Sequence, residues 1–126
     1  MFSVNRVAQG DEMDELLGLR VKIKPGQTGR LTSFLRGLKD RPAEVVESLL
    51  AERIRLQSAF LDRQPDADYL YFYARVHSVD GANAVFDASP RPLDAETKAI
   101  MAETWGETQE LELLVDLETA QMLEHT

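Results

Sequence analysis

The sequence predicts an α+β domain built on one antiparallel sheet that has a covered face and an open face. Three segments, at about residues 17–24, 69–76 and 109–117, alternate apolar and polar residues. This period of two is typical of a strand with one buried side. Segments with helical apolar stripes lie between them, and 126 residues suffice for a single domain with its own core.

The first predicted strand has clearly separated faces, with Leu19, Val21 and Ile23 on one side and Arg20 and Lys22 on the other. Pro25 and Gly26 end it, because proline cannot continue a hydrogen-bonded ladder and glycine favours a turn. A helix is predicted from Thr28 and a second one from Pro42, which suits a first helical position. Glu52 and Arg53 end the second helix and are interpreted as a solvated pair.

A strand at about residues 54–61 and the strand at 69–76 are separated by a short turn, which predicts an antiparallel hairpin. The strand at 69–76 places its apolar residues on one face and its polar residues on the other. The apolar set is Leu70, Phe72, Ala74 and Val76, and the polar set is Tyr69, Tyr71, Tyr73 and Arg75.

The rest of the chain predicts a short helix at 80–88, a helix at 95–105 that Asp94 caps and Gly106 ends, and a strand at 109–117. The order β-α-β-β-α-β predicts a ferredoxin-like sandwich, a four-stranded antiparallel sheet in the order 4-1-3-2 with all helices on one face. Residues 1–16 are predicted to be a flexible arm, residues 17–117 the domain, and residues 118–126 a tail.

Composition excludes several classes of function. A net charge of −8 argues against a nucleic-acid partner, which needs a concentrated basic surface. There is no cysteine, and two histidines with scattered carboxylates make no metal-binding pattern. No apolar run approaches the roughly 18 residues of a membrane span, and no signal peptide is recognisable. We therefore expect a cytoplasmic protein without a metal, a cofactor or a membrane partner.

The predicted open face concentrates the candidate ligand-binding residues, which are Arg20, Lys22, Tyr71, Tyr73 and Arg75. In one interpretation the cations hold an anionic or carbonyl group in a pocket while the tyrosines donate hydrogen bonds. In the other, these residues and the acids Glu112 and Asp116 satisfy one another at a dimer interface, because unpaired buried charge is costly.

His77, at the end of the aromatic strand, is the candidate catalytic residue. A histidine has a reference pKa of about 6.5, which suits a general acid or base. The alternative is a surface or helix-capping role.

The chain resembles the dimeric α/β-barrel superfamily in its Pro-Gly opening at 21–26, its aromatic strand at 69–73 and its element order. Its closest resemblance is to an uncharacterised bacterial family with the same opening and a similar segment at 58–61. The resemblance implies a homodimer whose open sheet faces close around a small-molecule pocket. It also implies an alternative, a cofactor-independent isomerase, mutarotase or monooxygenase acting on a small carbonyl or sugar-like substrate. No catalytic residue of these families carries over onto this chain. The mutarotases of this superfamily carry a histidine and a tryptophan in the region of the first helix, whereas residues 28–40 here contain neither.

Overall fold

The structure, a computed structural model, describes residues 5–9 and 12–124, with side chains from Asp14 onward. The strands are β1 (Asn5–Gln9), β2 (Glu12–Ile23), β3 (Ile54–Arg63), β4 (Asp68–Val76) and β5 (Trp105–Glu110). The helices are α1 (Thr28–Gly37), α2 (Pro42–Glu52), α3 (Val79–Ala88), α4 (Pro92–Thr104) and α5 (Thr119–Glu124), with a 3₁₀ turn at Leu38–Asp40. None of the helices in this part of the chain has the length and apolar character that a membrane crossing requires.

All five strands join one antiparallel sheet, in which β2 lies between β4 on one side and both β1 and β5 on the other. Strand β3 pairs with β4 and forms the opposite edge. The order β5-β2-β4-β3 is the predicted 4-1-3-2 order, with β1 added beside the first half of β2. The prediction of an α+β, ferredoxin-like domain is therefore confirmed.

The apolar side of the strands packs under the helices, as the alternation predicted. The main buried cluster combines sheet residues with one helix residue, and its members are Leu19, Val21, Ile23, Leu70 and Leu31. A smaller cluster joins the end of β4 to the start of α3 through Val76, Val79 and Ala82. The residues between these positions on the strands therefore face away from the helices, and they form what we call the open face.

The predicted arm at residues 1–16 is wrong where the structure describes it. Strand β1 pairs with residues 12–16 of β2 in a hairpin. Asp14 and Glu15, which suggested solvent exposure, are buried because each has a partner. Asp14 lies 3.2 Å from Arg55, and the Glu15 carboxylate accepts a hydrogen bond of 2.7 Å from the Val79 backbone N–H at the start of α3. The rest of the predicted arm lies outside the described residues.

The last strand begins and ends earlier than predicted. Helix α4 ends at Thr104, so Trp105 and Gly106 belong to β5 rather than to a helix end. Beyond Glu110 the chain cannot continue along β2, because β1 already occupies that edge. Residues 111–118 instead lie against the open face, where Leu111 packs beside Gly18.

Strand β5 approaches β2 closely at Gly106, where a Cβ atom would lie 2.7 Å from the Lys22 carbonyl oxygen. We expect Gly106→Ala to lower the free energy of unfolding by roughly 1–3 kcal/mol, as overpacking does. Gly29→Ala in α1 is the control, since its Cβ would meet no atom within 4 Å. That variant should be unchanged or up to about 1 kcal/mol more stable. Equal stabilities of the two variants in urea unfolding would contradict the close approach.

Candidate functional site

Arg20 on the open face is held by the tyrosines of β4. Its guanidinium lies 3.8 Å from the centre of the Tyr69 ring, and its Nε donates a hydrogen bond of 3.2 Å to the Tyr71 hydroxyl. This hydrogen bond is the main reason that the pKa of Arg20 is raised. Tyr69 in turn donates to Asp66 at 2.6 Å, which raises the pKa of Tyr69. Arg20 and Tyr71, two of the candidate ligand-binding residues, are thus bound to each other within one chain.

Arg75, buried on the same face, binds the segment that follows β5. Its Nη2 donates to both carboxylate oxygens of Asp116 at 2.7 Å, and Glu118 lies 3.9 Å from Nη1. Burial would lower the pKa of Arg75, but the hydrogen bonds, first that with Asp116, outweigh it and the pKa is raised. Lys22 is exposed and Tyr73 is half-buried. Asp116 therefore forms its ion pair with Arg75 rather than with Arg20 or Lys22 of β2.

His77 is exposed just after β4. Its backbone N–H donates a hydrogen bond of 3.0 Å to the Arg53 carbonyl oxygen. Across residues 5–9 and 12–124, no three histidine, aspartate or glutamate side chains are grouped so that they could hold a metal ion. A catalytic role for His77 stays a prediction.

A cavity of about 240 Å³ lies on the covered side of the sheet, between β2, β3, β4 and helices α1 to α4. Its walls are mostly apolar and include Leu19, Phe72, Trp105, Leu35, Ile100 and Met101. Ligand pockets for drug-sized molecules occupy about 300–1,000 Å³, so this cavity suits a smaller molecule. None of the predicted site residues Arg20, Lys22, Tyr71, Tyr73, Arg75 and His77 lines it.

A second cleft adjoins the cavity at the β3 edge of the sheet. This cleft has a volume of about 360 Å³ and lies between α1 and β3. The two spaces share the lining residues Leu35, Leu38, Gln57, Ala59, Leu70 and Phe72. Ala59 is exposed at this junction, so the entrance lies beside β3.

One part of the cavity wall is polar, where α2 meets the start of α4. The Ser48 hydroxyl oxygen lies 2.6 Å from Asp94 Oδ1 and 2.8 Å from Glu52 Oε2. Asp94 is only 2% exposed. Its Oδ2 accepts hydrogen bonds from the Ser89 hydroxyl at 2.5 Å and from Arg91 Nε at 3.0 Å. Asp94 is therefore a buried carboxylate with several donors.

The two carboxyl groups of this cluster have opposite pKa shifts. Burial would raise the pKa of Asp94, but the hydrogen bonds with Ser48, Ser89 and Arg91 outweigh it, so the pKa is lowered. Burial raises the pKa of Glu52, and the negative charge of Asp94 adds to this effect, against the positive charge of Arg91. Asp94 is thus the ionised member, and Glu52 is the member that retains a proton more readily.

The sequence showed only part of this cluster. Asp94 was expected to cap a helix, and it is the third residue of α4. Glu52 was expected to be solvated at a helix end, but it is half-buried against the cavity. One signal was available, since Ser48 and Glu52 are four residues apart and so share a face of α2 with Val45 and Leu49.

Known proteins resemble this chain at the level of family and fold. A family model described as a family of unknown function, DUF6176, matches residues 15–122. A dimeric protein of unknown function and ferredoxin-like fold from Bacteroides fragilis superposes with a TM-score of 0.50 at 16% identity, covering 76% of this chain and 91% of its own. The resemblance to an uncharacterised family with a ferredoxin-like fold is therefore confirmed. No curated protein matches the chain.

Two further solved structures are similar over most of the chain. Rv0793 from Mycobacterium tuberculosis has a TM-score of 0.49 at 16% identity and covers 83% of this chain and 99% of its own. NE2512, a protein of unknown function from Nitrosomonas europaea, has a TM-score of 0.45 at 20% identity and covers 82% and 93% respectively.

Proposed function

We propose that this chain, which belongs to the DUF6176 family of unknown function, is a homodimer that binds a small, mostly apolar molecule between its helices and its sheet. The observation that carries the proposal is the apolar cavity of about 240 Å³ with one polar stretch of wall. Protein interiors contain few voids larger than a water molecule. An apolar cavity of about 150 Å³ already accepts benzene or xenon. The size and lining of this cavity therefore favour a binding site over a packing defect.

The contacts of the open-face residues argue against a ligand on this face. The sequence suggested a pocket formed by Arg20, Lys22, Tyr71, Tyr73 and Arg75. Arg20 is engaged by Tyr69 and Tyr71, and Arg75 is engaged by Asp116, all within one chain. These contacts leave little polar capacity for a ligand, so we assign the ligand to the cavity on the covered side.

A second copy of the chain is the proposed occupant of the open face. Leu56 pairs with Arg75 and Phe60 pairs with Tyr71, so both residues of β3 lie on this face. They are 49% and 64% exposed, and Phe60 also borders the second cleft at the edge of the sheet. Leu114, Val115 and Leu117, in the segment that crosses it, are also exposed. Apolar exposure on this scale is typical of an interaction surface. The protein from Bacteroides fragilis with the same fold is described as dimeric, which supports association between identical chains.

Toluene at millimolar concentration is expected to raise the melting temperature of the protein, because a ligand that binds only the native state stabilises it by mass action. Ala59→Leu fills the junction of the two clefts and should abolish this rise. Ala43→Leu is the matched control, since Ala43 is exposed on α2 and lines neither cleft. Equal shifts in all three proteins would contradict binding in the cavity.

A cofactor-independent enzyme acting on a small carbonyl compound is the second candidate. It is favoured by Glu52, a carboxyl group with a raised pKa on the wall of a cavity, which is a property of general acids and bases. The apolar lining argues against a sugar-like substrate. Exchange of the α-protons of cyclohexanone in D₂O, followed by NMR, tests this candidate. Acceleration by the wild type but not by Glu52→Gln supports an enzyme, whereas no acceleration over buffer supports a binding protein.

A further inference from the structure

The Ser48 hydroxyl lies between two carboxyl groups but has a single proton to donate. Its oxygen is 2.6 Å from Asp94 Oδ1 and 2.8 Å from Glu52 Oε2. If both carboxyl groups were ionised, one of these contacts would join two acceptors without a proton between them. Leaving buried acceptors in this state is costly. The geometry therefore favours a second proton, on one of the two carboxyl groups.

The other hydrogen bonds of the cluster place this proton on Glu52. Asp94 Oδ2 accepts from Arg91 Nε and from Ser89, whose own oxygen accepts from the Arg91 backbone N–H at 3.1 Å. Ser48 supplies the donor for Asp94 Oδ1, so Asp94 has donors on both oxygens without a proton of its own. The proton chain then runs in one direction, from the Glu52 carboxylic acid to Ser48 and from Ser48 to Asp94.

We propose that Glu52 is a neutral carboxylic acid at neutral pH and that its other oxygen, Oε1, accepts a hydrogen bond from a ligand hydroxyl. Within the described residues no hydrogen bond is made by Oε1, and Glu52 lines the cavity. The ligand class is an uncharged, mostly apolar molecule with one hydroxyl group, such as a phenol or a cyclic alcohol. The inference rests on the proposed function, because it names the ligand class of the same cavity.

The charges around Glu52 disfavour an anionic ligand. Arg91 and Asp94, both at the start of α4, are the charged groups that act on Glu52, and they neutralise each other through a hydrogen bond of 3.0 Å. A carboxylate ligand would meet the negative charge of Asp94 without a free cation in the cavity wall. A hydroxyl group needs only the acceptor that Glu52 provides.

Three compounds of similar shape test this ligand class, each titrated by NMR. They are toluene, which has no polar group, p-cresol, which has a hydroxyl group, and p-toluate, which has a carboxylate. Glu52→Leu should weaken p-cresol binding by about 3–10-fold, the range expected for one buried hydrogen bond, and leave toluene within about twofold. Glu52→Gln should retain p-cresol binding, because its amide group can donate to Ser48 and still accept from the ligand. The wild type should bind p-toluate at least about 10-fold more weakly than p-cresol.

The outcomes distinguish this inference from the proposed function. If toluene does not bind the wild type, the proposed function fails. If toluene binds but p-cresol is insensitive to Glu52→Leu, only the assignment of Glu52 is overturned. Toluene binding by each variant also shows that the variant is folded and that its cavity is intact.

The protonation of Glu52 can be read without a ligand. Its carboxyl ¹³C resonance, assigned by its absence in Glu52→Gln, should still report a carboxylic acid at pH 7, where an ordinary glutamate with a pKa of about 4.3 is ionised. A carboxylate resonance at pH 7 would overturn the proton chain.

Discussion

Asp94→Ala is expected to lower the free energy of unfolding by about 3–5 kcal/mol, because hydrogen bonds to a charged group contribute about 1.5–3 kcal/mol each. The substitution removes the acceptor of Ser48, Ser89 and Arg91 Nε at once. The buried Nη2 of Arg91 already has no partner among the described residues. Without Asp94, the Nε of Arg91 would lose its partner as well. Urea unfolding at pH 7 measures the loss.

Asp80→Ala is the matched control, since Asp80 also lies in the first turn of a helix but is exposed. Its effect should stay within about 1 kcal/mol, the range of a helix-dipole contribution. Equal losses in the two variants would contradict the role of the buried cluster.

The stabilisation by Asp94 also has a defined pH dependence. The pKa of Asp94 is lower in the folded protein than its ordinary value of about 3.9. Its contribution is therefore complete above that value and is lost as the pH falls through it toward the folded-state pKa. The stability difference between the wild type and Asp94→Ala should narrow below about pH 4. A difference that widens on acidification would contradict the lowered pKa.

Phe60→Lys is expected to convert the proposed dimer into a monomer. Placing a lysine without a partner in an apolar interface costs several kcal/mol, which corresponds to a dissociation constant raised by about 100-fold or more. Light scattering at micromolar concentration should give twice the 14.2 kDa chain mass for the wild type and the chain mass for the variant.

Leu50→Lys is the control for this substitution, because Leu50 is an apolar residue of α2 that is 72% exposed on the helix side. It should remain dimeric. A monomeric wild type, or a dimer that Leu50→Lys disrupts and Phe60→Lys does not, would contradict association through the open face.

Most of the sheet could be predicted from sequence, because a strand with one covered face alternates apolar and polar residues along its length. Strand β4 and the second half of β2 show this pattern, and their order with the helices yields the ferredoxin-like topology. The start of β2 was missed since Asp14 and Glu15 interrupt the apolar pattern. Their partners, Arg55 and Val79, lie far along the chain, so only the fold reveals why these acids are buried.

The end of β5 was extended too far for a different reason. The alternation continues through residues 111–117, but the edge of β2 that would receive them is occupied by β1. Strand β1 and residues 111–117 would compete for the same edge of β2, and the local sequence pattern of neither segment shows this competition. The same error placed Asp116 beside Arg20 and Lys22, whereas the segment leaves the sheet and reaches Arg75.

The polar cluster of Ser48, Glu52 and Asp94 in the cavity wall also could not be predicted from local sequence patterns. Ser48 and Glu52 share a face of α2 visibly, but Asp94 joins them only because α2 packs against the start of α4. The direction of the proton chain depends on distances within this contact. The sequence therefore predicted the sheet that supports the cavity, but not the polar group in its wall.

A crystal structure of the protein under xenon pressure would show whether the covered side of the sheet holds an open apolar cavity, because xenon enters such cavities and gives a strong anomalous signal. We expect a xenon atom on the covered side of the sheet, among Leu35, Phe72 and Ile100. A structure in which these side chains close the space, with xenon bound elsewhere or not at all, would contradict this expectation.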